Sequence, residues 1–193
     1  MTLRSAGRAK TWVWLIGVVL STGAMFLGFD LGSEAARLLG GEPGIWARMA
    51  KGFLWGGIIA GLQWPLVWAA GVPPIRFVAA SAVGFALGYP LGQTFQALTV
   101  LQGSLSWVWG YGSALTTFGL SLGLPQWWIL RRHIGRAGLW ILFSVVGWAL
   151  IGVYWIDAGA GDGLDALLYG IVTGLGLVWL GHPRRPDTEG VGS

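Results

Sequence analysis

GLQWPLVW, Gly61 to Trp68, is the stretch on which the reading of this chain turns. It carries no charge and lies within Gly52 to Ala70, an uncharged run long enough to cross a bilayer as one helix. It returns as GLPQWWIL, Gly123 to Leu130, with one residue inserted, and in worn form as GLGLVWL, Gly174 to Leu180. A segment that recurs in successive apolar runs reads as the building unit of a helical fold.

Composition leads to the same place. Of 193 residues, 54% are hydrophobic and 10% charged, against roughly 25% charged in soluble domains. So few charges cannot cover the surface of a soluble fold. The absence of cysteine excludes disulfides, thiolate metal sites and cysteine nucleophiles. The net charge of +4 does not indicate a nucleic-acid partner, because the basic residues sit at the ends of apolar runs, as orientation signals do.

Residues 1–10 form a short basic segment with Arg4, Arg8 and Lys10. Thr11 to Phe29 is apolar and is expected to be a retained first span. It is long for a signal-peptide core, and no clear small-x-small cleavage site follows it. Asp30 to Arg48 reads as a polar loop, with Ser33 and Glu34 capping a short interfacial helix that stops before Gly40 and Gly41. Gly52 to Ala70 is the second span, and the Pro73-Pro74 pair makes a tight turn after it. Phe77 to Leu130 holds no charge and is too long for one helix. A break between Gln102 and Gly112 gives spans at Phe77 to Leu101 and Gly112 to Leu130. A basic turn, Arg131 to Arg136, precedes a fifth span, Ala137 to Ile156. An acidic glycine-rich loop, Asp157 to Asp165, precedes a sixth, Leu164 to Gly181. Residues 182–193 read as a polar, disordered tail. The expected fold is therefore all-α: a polytopic membrane bundle of about six transmembrane helices over residues 11–181.

Six spans place both termini on one side, and charge chooses it. Nine of the twelve lysines and arginines fall on the terminal side; Arg37, Arg48 and Lys51 fall on the other. The positive-inside rule makes the segment 1–10 and the tail cytoplasmic. The expected location is the bacterial inner (cytoplasmic) membrane, with N-in and C-in topology.

The spans repeat in pairs. Gln63 and Gln126 are 63 residues apart, as are Gly84 and Gly147. After each glutamine come a turn, a basic residue, an apolar span and a Gly-aromatic-Ala-Leu run. Gly170 and Gly174 match Gly57 and Gly61 at a separation of 113. Equivalent spans run in one direction, so the expected duplication is a parallel tandem repeat. Glycines spaced by four (Gly52 and Gly56, Gly57 and Gly61, Gly84 through Gly92, Gly119 and Gly123, Gly170 and Gly174) let helices approach closely. Pro65, Pro90 and Pro125 bend their spans.

GLPQWWILRR, Gly123 to Arg132, and GWALIG, Gly147 to Gly152, resemble a group of uncharacterised bacterial multi-pass membrane proteins. Their repeats read Gly-Leu-x-Gln-Trp-x-x-Leu-Arg-Arg, with Gly-Trp-Ala-Leu in the next span. GLQWPLVW lacks the basic pair. The resemblance covers Gly52 to Gly181 and implies a fold, without an activity.

Candidate ligand-binding residues are the intramembrane amides. Gln63 and Gln126 lie where an unpaired amide is costly. They either coordinate a ligand or pigment between the repeats or tie helices together, a bond worth roughly 1 kcal/mol. Gln93 and Gln96 share a helix face and, with Tyr89 and Thr94, either line a polar cavity or pack at the interface. His133 and His182 flank arginines at the membrane edge and suit a solvated turn better than ligation. Gly119-Leu-Ser-Leu-Gly123 has the letters of a nucleophile elbow without its strand-turn-helix context, and Ser121 has no histidine at its depth. Asp157, Asp162 and Asp165 lack calcium-loop spacing. No metal site or cofactor is assigned, and no span holds a central charge of the kind a proton relay uses.

These features describe a non-enzymatic multi-pass integral membrane protein, a structural or accessory subunit of a larger assembly. Its partners would be the lipid bilayer, other membrane subunits or a lipophilic cofactor, and no nucleic acid. The alternative is a small-molecule carrier or substrate-binding membrane subunit. Bacterial substrate-capture subunits of vitamin transporters are similar in size and span number, but none of their motifs occurs here.

Overall fold

The computed structural model describes residues 3–41, 44–68, 71–100, 106–158 and 163–180. They form six helices: α1 (Leu3–Leu38), α2 (Ile45–Trp68), α3 (Pro74–Val100), α4 (Ser106–Leu130), α5 (Gly138–Ala158) and α6 (Leu164–Leu180). No strand occurs among the described residues. Each helix packs along the next, and α6 returns to α1, so the six close a ring. The starts of the odd helices and the ends of the even ones share one end of the ring, the terminal end; the opposite end is the far end. Thr11–Leu38 and Pro74–Leu98 are long and apolar enough to cross a membrane, while the apolar stretches Gly138–Ile151 and Leu164–Trp179 are shorter.

The first two helices differ from expectation. α1 begins at Leu3 and runs unbroken through Asp30 to Leu38, where a polar loop with a separate short helix was expected. Nothing between Asp30 and Leu38 forbids a helix, and Glu34 pairs with Arg37 one turn on. The extension also has a surface to pack on. A Cβ on Gly28 would strike the Trp55 indole, and one on Gly32 would lie 3.0 Å from the Lys51 carbonyl oxygen. The stop comes at Gly40, whose φ of 95° suits the left-handed position of a Schellman cap. Gly41 N–H donates to Ala36 O at 2.9 Å and Gly40 N–H to Arg37 O at 3.2 Å, closing that cap. α2 ends the same way at Gly71, with Val72 N–H on Val67 O and Gly71 N–H on Trp68 O. α2 starts at Ile45 and not at Gly52, so Arg48 and Lys51 belong to the helix. α4 starts at Ser106, which takes Trp107, Trp109 and Tyr111 into its first turns. Of the expected α3–α4 break, residues 101–105 lie outside the described residues, as does the tail from 181.

Glycines line the seams between helices. A Cβ on Gly56 of α2 would lie 2.7 Å from the Ser81 carbonyl oxygen of α3. One on Gly119 of α4 would lie 3.0 Å from the Ser144 carbonyl oxygen of α5, and one on Gly170 of α6 would lie 2.7 Å from the Val18 carbonyl oxygen of α1. At the α3–α4 seam, Gly84 faces the Ser121 carbonyl and the Pro125 ring. That carbonyl is the one that proline at position 125 deprives of its helical donor.

The interior is aromatic. Trp148 sits at the hub, with ring centroids 5.3 to 5.6 Å from Phe118, Phe85, Trp55 and Tyr169. A second apolar cluster closes the terminal end, where Val72 and Ile134 from two turns plug between Phe77, Leu130 and Trp140. Apolar side chains also cover the outside: large exposed ones occur on all six helices, among them Val19, Phe53, Leu87, Leu120, Leu142 and Leu175. The buried polar residues described are Ser21, Lys51, Gln63, Ser81, Gln126, Ser144 and Thr173. Ser81 and Thr173 satisfy their hydroxyls on the carbonyls of Phe77 and Tyr169, one turn back.

Candidate ligand site at the far end of the ring

One face of α2 builds the site. Ala47, Lys51, Trp55, Ile59, Gln63 and Val67 are all buried, each four residues after the last. Steps of four on a helix keep one face inward. The stripe descends from the far end: a cation, the aromatic core, then an amide near the terminal end.

Around Lys51 lies a cavity of about 380 Å³. Its polar wall is Ser33 from α1, Lys51 from α2, Gln93 and Gln96 from α3, and Tyr111 from α4. Its floor is the top of the aromatic core, Trp55, Tyr89 and Phe118. Lys51 is 3% exposed. Its Nζ lies 4.4 Å from the Phe29 ring centroid and 5.5 Å from that of Tyr89, contacts in which ring faces offset part of the ammonium's lost hydration. Gly32 leaves room for its aliphatic stem. The floor is rigid: Trp55 meets Phe29, Phe85, Tyr89 and Trp148 within 5.9 Å, and Tyr89 stacks on Phe118 at 5.4 Å.

The four candidate glutamines divide. Gln93 and Gln96 lie in the cavity wall, half-buried. Thr94 lies outside it and donates to the Pro90 carbonyl at 2.9 Å. Gln63 and Gln126 lie near the terminal end, fully buried, in neither described cavity wall. Gln63 Nε2 donates to Ser21 Oγ of α1 at 3.0 Å, and Tyr169 of α6 faces the same carboxamide. Gln126 Oε1 accepts the indole N–H of Trp140 on α5. The two amides thus reach opposite ways round the ring, Gln63 back to α1 and Gln126 forward to α5. Position 77, which a 63-residue shift pairs with Trp140, holds Phe77, whose side chain has no N–H to offer.

The other residues singled out in the sequence lie apart. Ser121 is mid-helix and donates to Phe118 O at 3.0 Å. His133 is in the basic turn, its backbone N–H on Leu130 O at 2.9 Å; His182 lies outside the described residues. Asp165 accepts the Ala166 N–H at the start of α6. Asp162 and the side chain of Asp157 are not among the described parts. No group of three or more His, Asp or Glu suited to a metal occurs among the described residues.

Lys51 is the residue that sequence reasoning missed. It counts as a loop charge once the span is started at Gly52. The signal was the four-residue ladder from Lys51 through Trp55 and Ile59 to Gln63, visible only if the helix is carried back past its charges. No protein family, no curated protein and no solved structure matches the chain.

Proposed function

We propose that this chain is a non-enzymatic multi-pass integral membrane protein that holds a small molecule at the non-cytoplasmic mouth of its helix ring. The far-end cavity carries this reading. It places a buried cation, two carboxamides and two hydroxyls above an apolar floor, which is how small-molecule sites are built. Embedding in a bilayer is supported by apolar side chains outside the ring and polar ones within it, the arrangement that lipid favours. The basic turns at the terminal end support a placing of both termini on the cytoplasmic side of a bacterial inner membrane.

A tandem origin in helix pairs draws support from the seams. Val18, Ser81 and Ser144, whose carbonyls meet glycines of α6, α2 and α4, are spaced by 63 residues. The same spacing relates Thr22, Phe85 and Trp148, and also Trp14, Phe77 and Trp140.

The test is purification in mild detergent followed by native mass spectrometry. A retained small molecule, depleted in a Gln93→Leu, Gln96→Leu double variant, supports the reading. A chain that carries nothing small and travels with a stoichiometric second polypeptide overturns it. That outcome favours a second reading, an accessory subunit of a larger membrane assembly. One observation supports the second reading: an outer apolar groove of about 570 Å³ between α2 and α3, in which a Cβ on Gly61 would meet nothing.

A further inference from the structure

We infer that the outer groove between α2 and α3 holds one acyl chain of an anionic phospholipid, whose phosphate meets Arg76 and the first turn of α3 at the terminal end. The inference rests on the membrane reading and is independent of the far-end cavity. Three observations carry it.

The first is a hollow cut into one of three matching seams. Gly56, Gly119 and Gly170 each meet a carbonyl of the neighbouring helix, that of Ser81, Ser144 and Val18 respectively. One and five residues after these glycines, α4 has Leu120 and Leu124, and α6 has Ile171 and Leu175. At the same places α2 has Gly57 and Gly61. Across the seam, two residues before the carbonyl and one after it, α5 has Leu142 and Val145, and α1 has Ile16 and Val19. At the same places α3 has Ala79 and Ala82. Small residues on both walls clear a trough of about 570 Å³. Helix packing does not ask for these two glycines. A Cβ on Gly57 would make only an ordinary 3.6 Å contact with Ala82, and one on Gly61 would meet nothing.

The second is the shape of the trough. Its wall on α2 runs from Phe53 to Trp64, a length of about 16 Å at the helical rise. That is about half of a hydrocarbon core of roughly 30 Å, the depth of one leaflet. Phe53 and Leu54 stand at one end, and Trp64 and Ile75 at the other. Such bulky ends obstruct a helix about 10 Å across, whereas an acyl chain is slimmer and bends. The bilayer supplies no hydrophobic drive into the trough. Contact does, because a wall without partner atoms forfeits dispersion energy.

The third is charge at one mouth. Pro74 lies in the wall and begins α3, so the N–H groups of that first turn and the positive end of the helix dipole lie there. Arg76, exposed, is two residues on. Arg131, Arg132 and Arg136 occupy the next turn, whose Ile134 packs in one cluster with Val72 of the α2–α3 turn. Neither turn contains Asp or Glu among its described residues. This end attracts phosphate, and an anionic headgroup more than a zwitterionic one.

The experiment titrates the full chain in neutral detergent with phosphatidylglycerol and with phosphatidylcholine of the same acyl chains, read by native mass spectrometry. One phosphatidylglycerol is expected to bind at least roughly tenfold more tightly than phosphatidylcholine. The Gly61→Leu, Ala79→Leu double variant gives this seam leucines like those of its counterparts and should weaken phosphatidylglycerol at least roughly tenfold. Should the pair fail to fold, Gly61→Leu alone, at a position with open space, serves the same arm. Arg76→Gln should bring phosphatidylglycerol down towards phosphatidylcholine. Phosphatidylcholine held as tightly as phosphatidylglycerol by the wild-type chain overturns the inference, as does a filled groove that binds phosphatidylglycerol unchanged. A filled variant that sheds a stoichiometric polypeptide or a second copy of the chain assigns the groove to a helix and also overturns it. The Gln93→Leu, Gln96→Leu variant should hold phosphatidylglycerol as the wild type does, which separates this site from the far-end one. Loss of the lipid there, with none in the groove variants, overturns the groove site and leaves the far-end reading standing.

Discussion

Single side chains in this ring do different work according to depth. Near the terminal end, Gln126 accepts from Trp140 and Gln63 donates to Ser21, bonds that tie neighbouring helices. Gln126→Leu leaves the Trp140 indole N–H buried and unpaired, which costs about 1–3 kcal/mol. Gln63→Leu is expected to cost about 1 kcal/mol, the usual scale of an interhelical bond. Both appear as lower unfolding temperatures in detergent, and neither should deplete the retained small molecule, since neither amide lies in the cavity wall. A small molecule lost with Gln63→Leu would place that amide in the site after all. At the hub, Trp148→Ala removes a fully buried indole ringed by four aromatic partners. The expected loss is roughly 3–5 kcal/mol. Trp12→Ala, at a residue 64% exposed, should stay within about 0.5 kcal/mol. The sequence marked Gln93 and Gln96 as one face, because a three-residue step is local. Lys51 escaped because a span started at Gly52 leaves it in the loop, while α2 in fact starts at Ile45.

Helices here are joined by glycine faces, and the faces are not equivalent. Gly84 and Gly88 of α3 lie against Ser121 of α4 so closely that any Cβ overlaps backbone or side-chain atoms. Gly84→Ala meets a carbonyl oxygen and a proline ring, neither of which can swing away, so overpacking of about 1–3 kcal/mol is expected. Gly61→Ala fills open space and should be neutral or slightly stabilising, since alanine is the better helix former. Thermal unfolding of the two variants side by side separates these cases. Equal losses would mean that α3 and α4 do not approach as closely as Gly84 requires. From the sequence both glycines look alike, as each belongs to a pair spaced by four. Only the crossing of two helices tells a used face from an open one. Helix ends were more legible: Gly40 and Gly71 punctuate the chain, and they stand at the caps. The start of α2 was not legible, because charges end an apolar run without ending a helix.

For the whole molecule, the inside-out distribution of side chains predicts opposite accessibility for the two ends of the ring. The chain has no cysteine, so a single cysteine reports cleanly. Leu39→Cys at the far end should react with a membrane-impermeant maleimide on intact cells, and Arg132→Cys should react only after the membrane is opened. Labelling of both on intact cells would overturn the six-span topology. The sequence alone determined the all-helical composition, the six apolar segments and the side that carries the basic turns. These depend on residue type along the chain: apolar runs form helices wherever backbone polar groups lack water, and charges stay at the ends. The ring closure of α6 on α1, the aromatic hub and the cavity under Lys51 were decided by tertiary structure. Each depends on which faces meet across helices far apart in sequence, and a helix that is apolar all round does not declare its inward face. The GLQWPLVW stretch shows both halves: its uncharged apolar run announced a helix, while Gln63 acquired its partner only when α1 folded beside it.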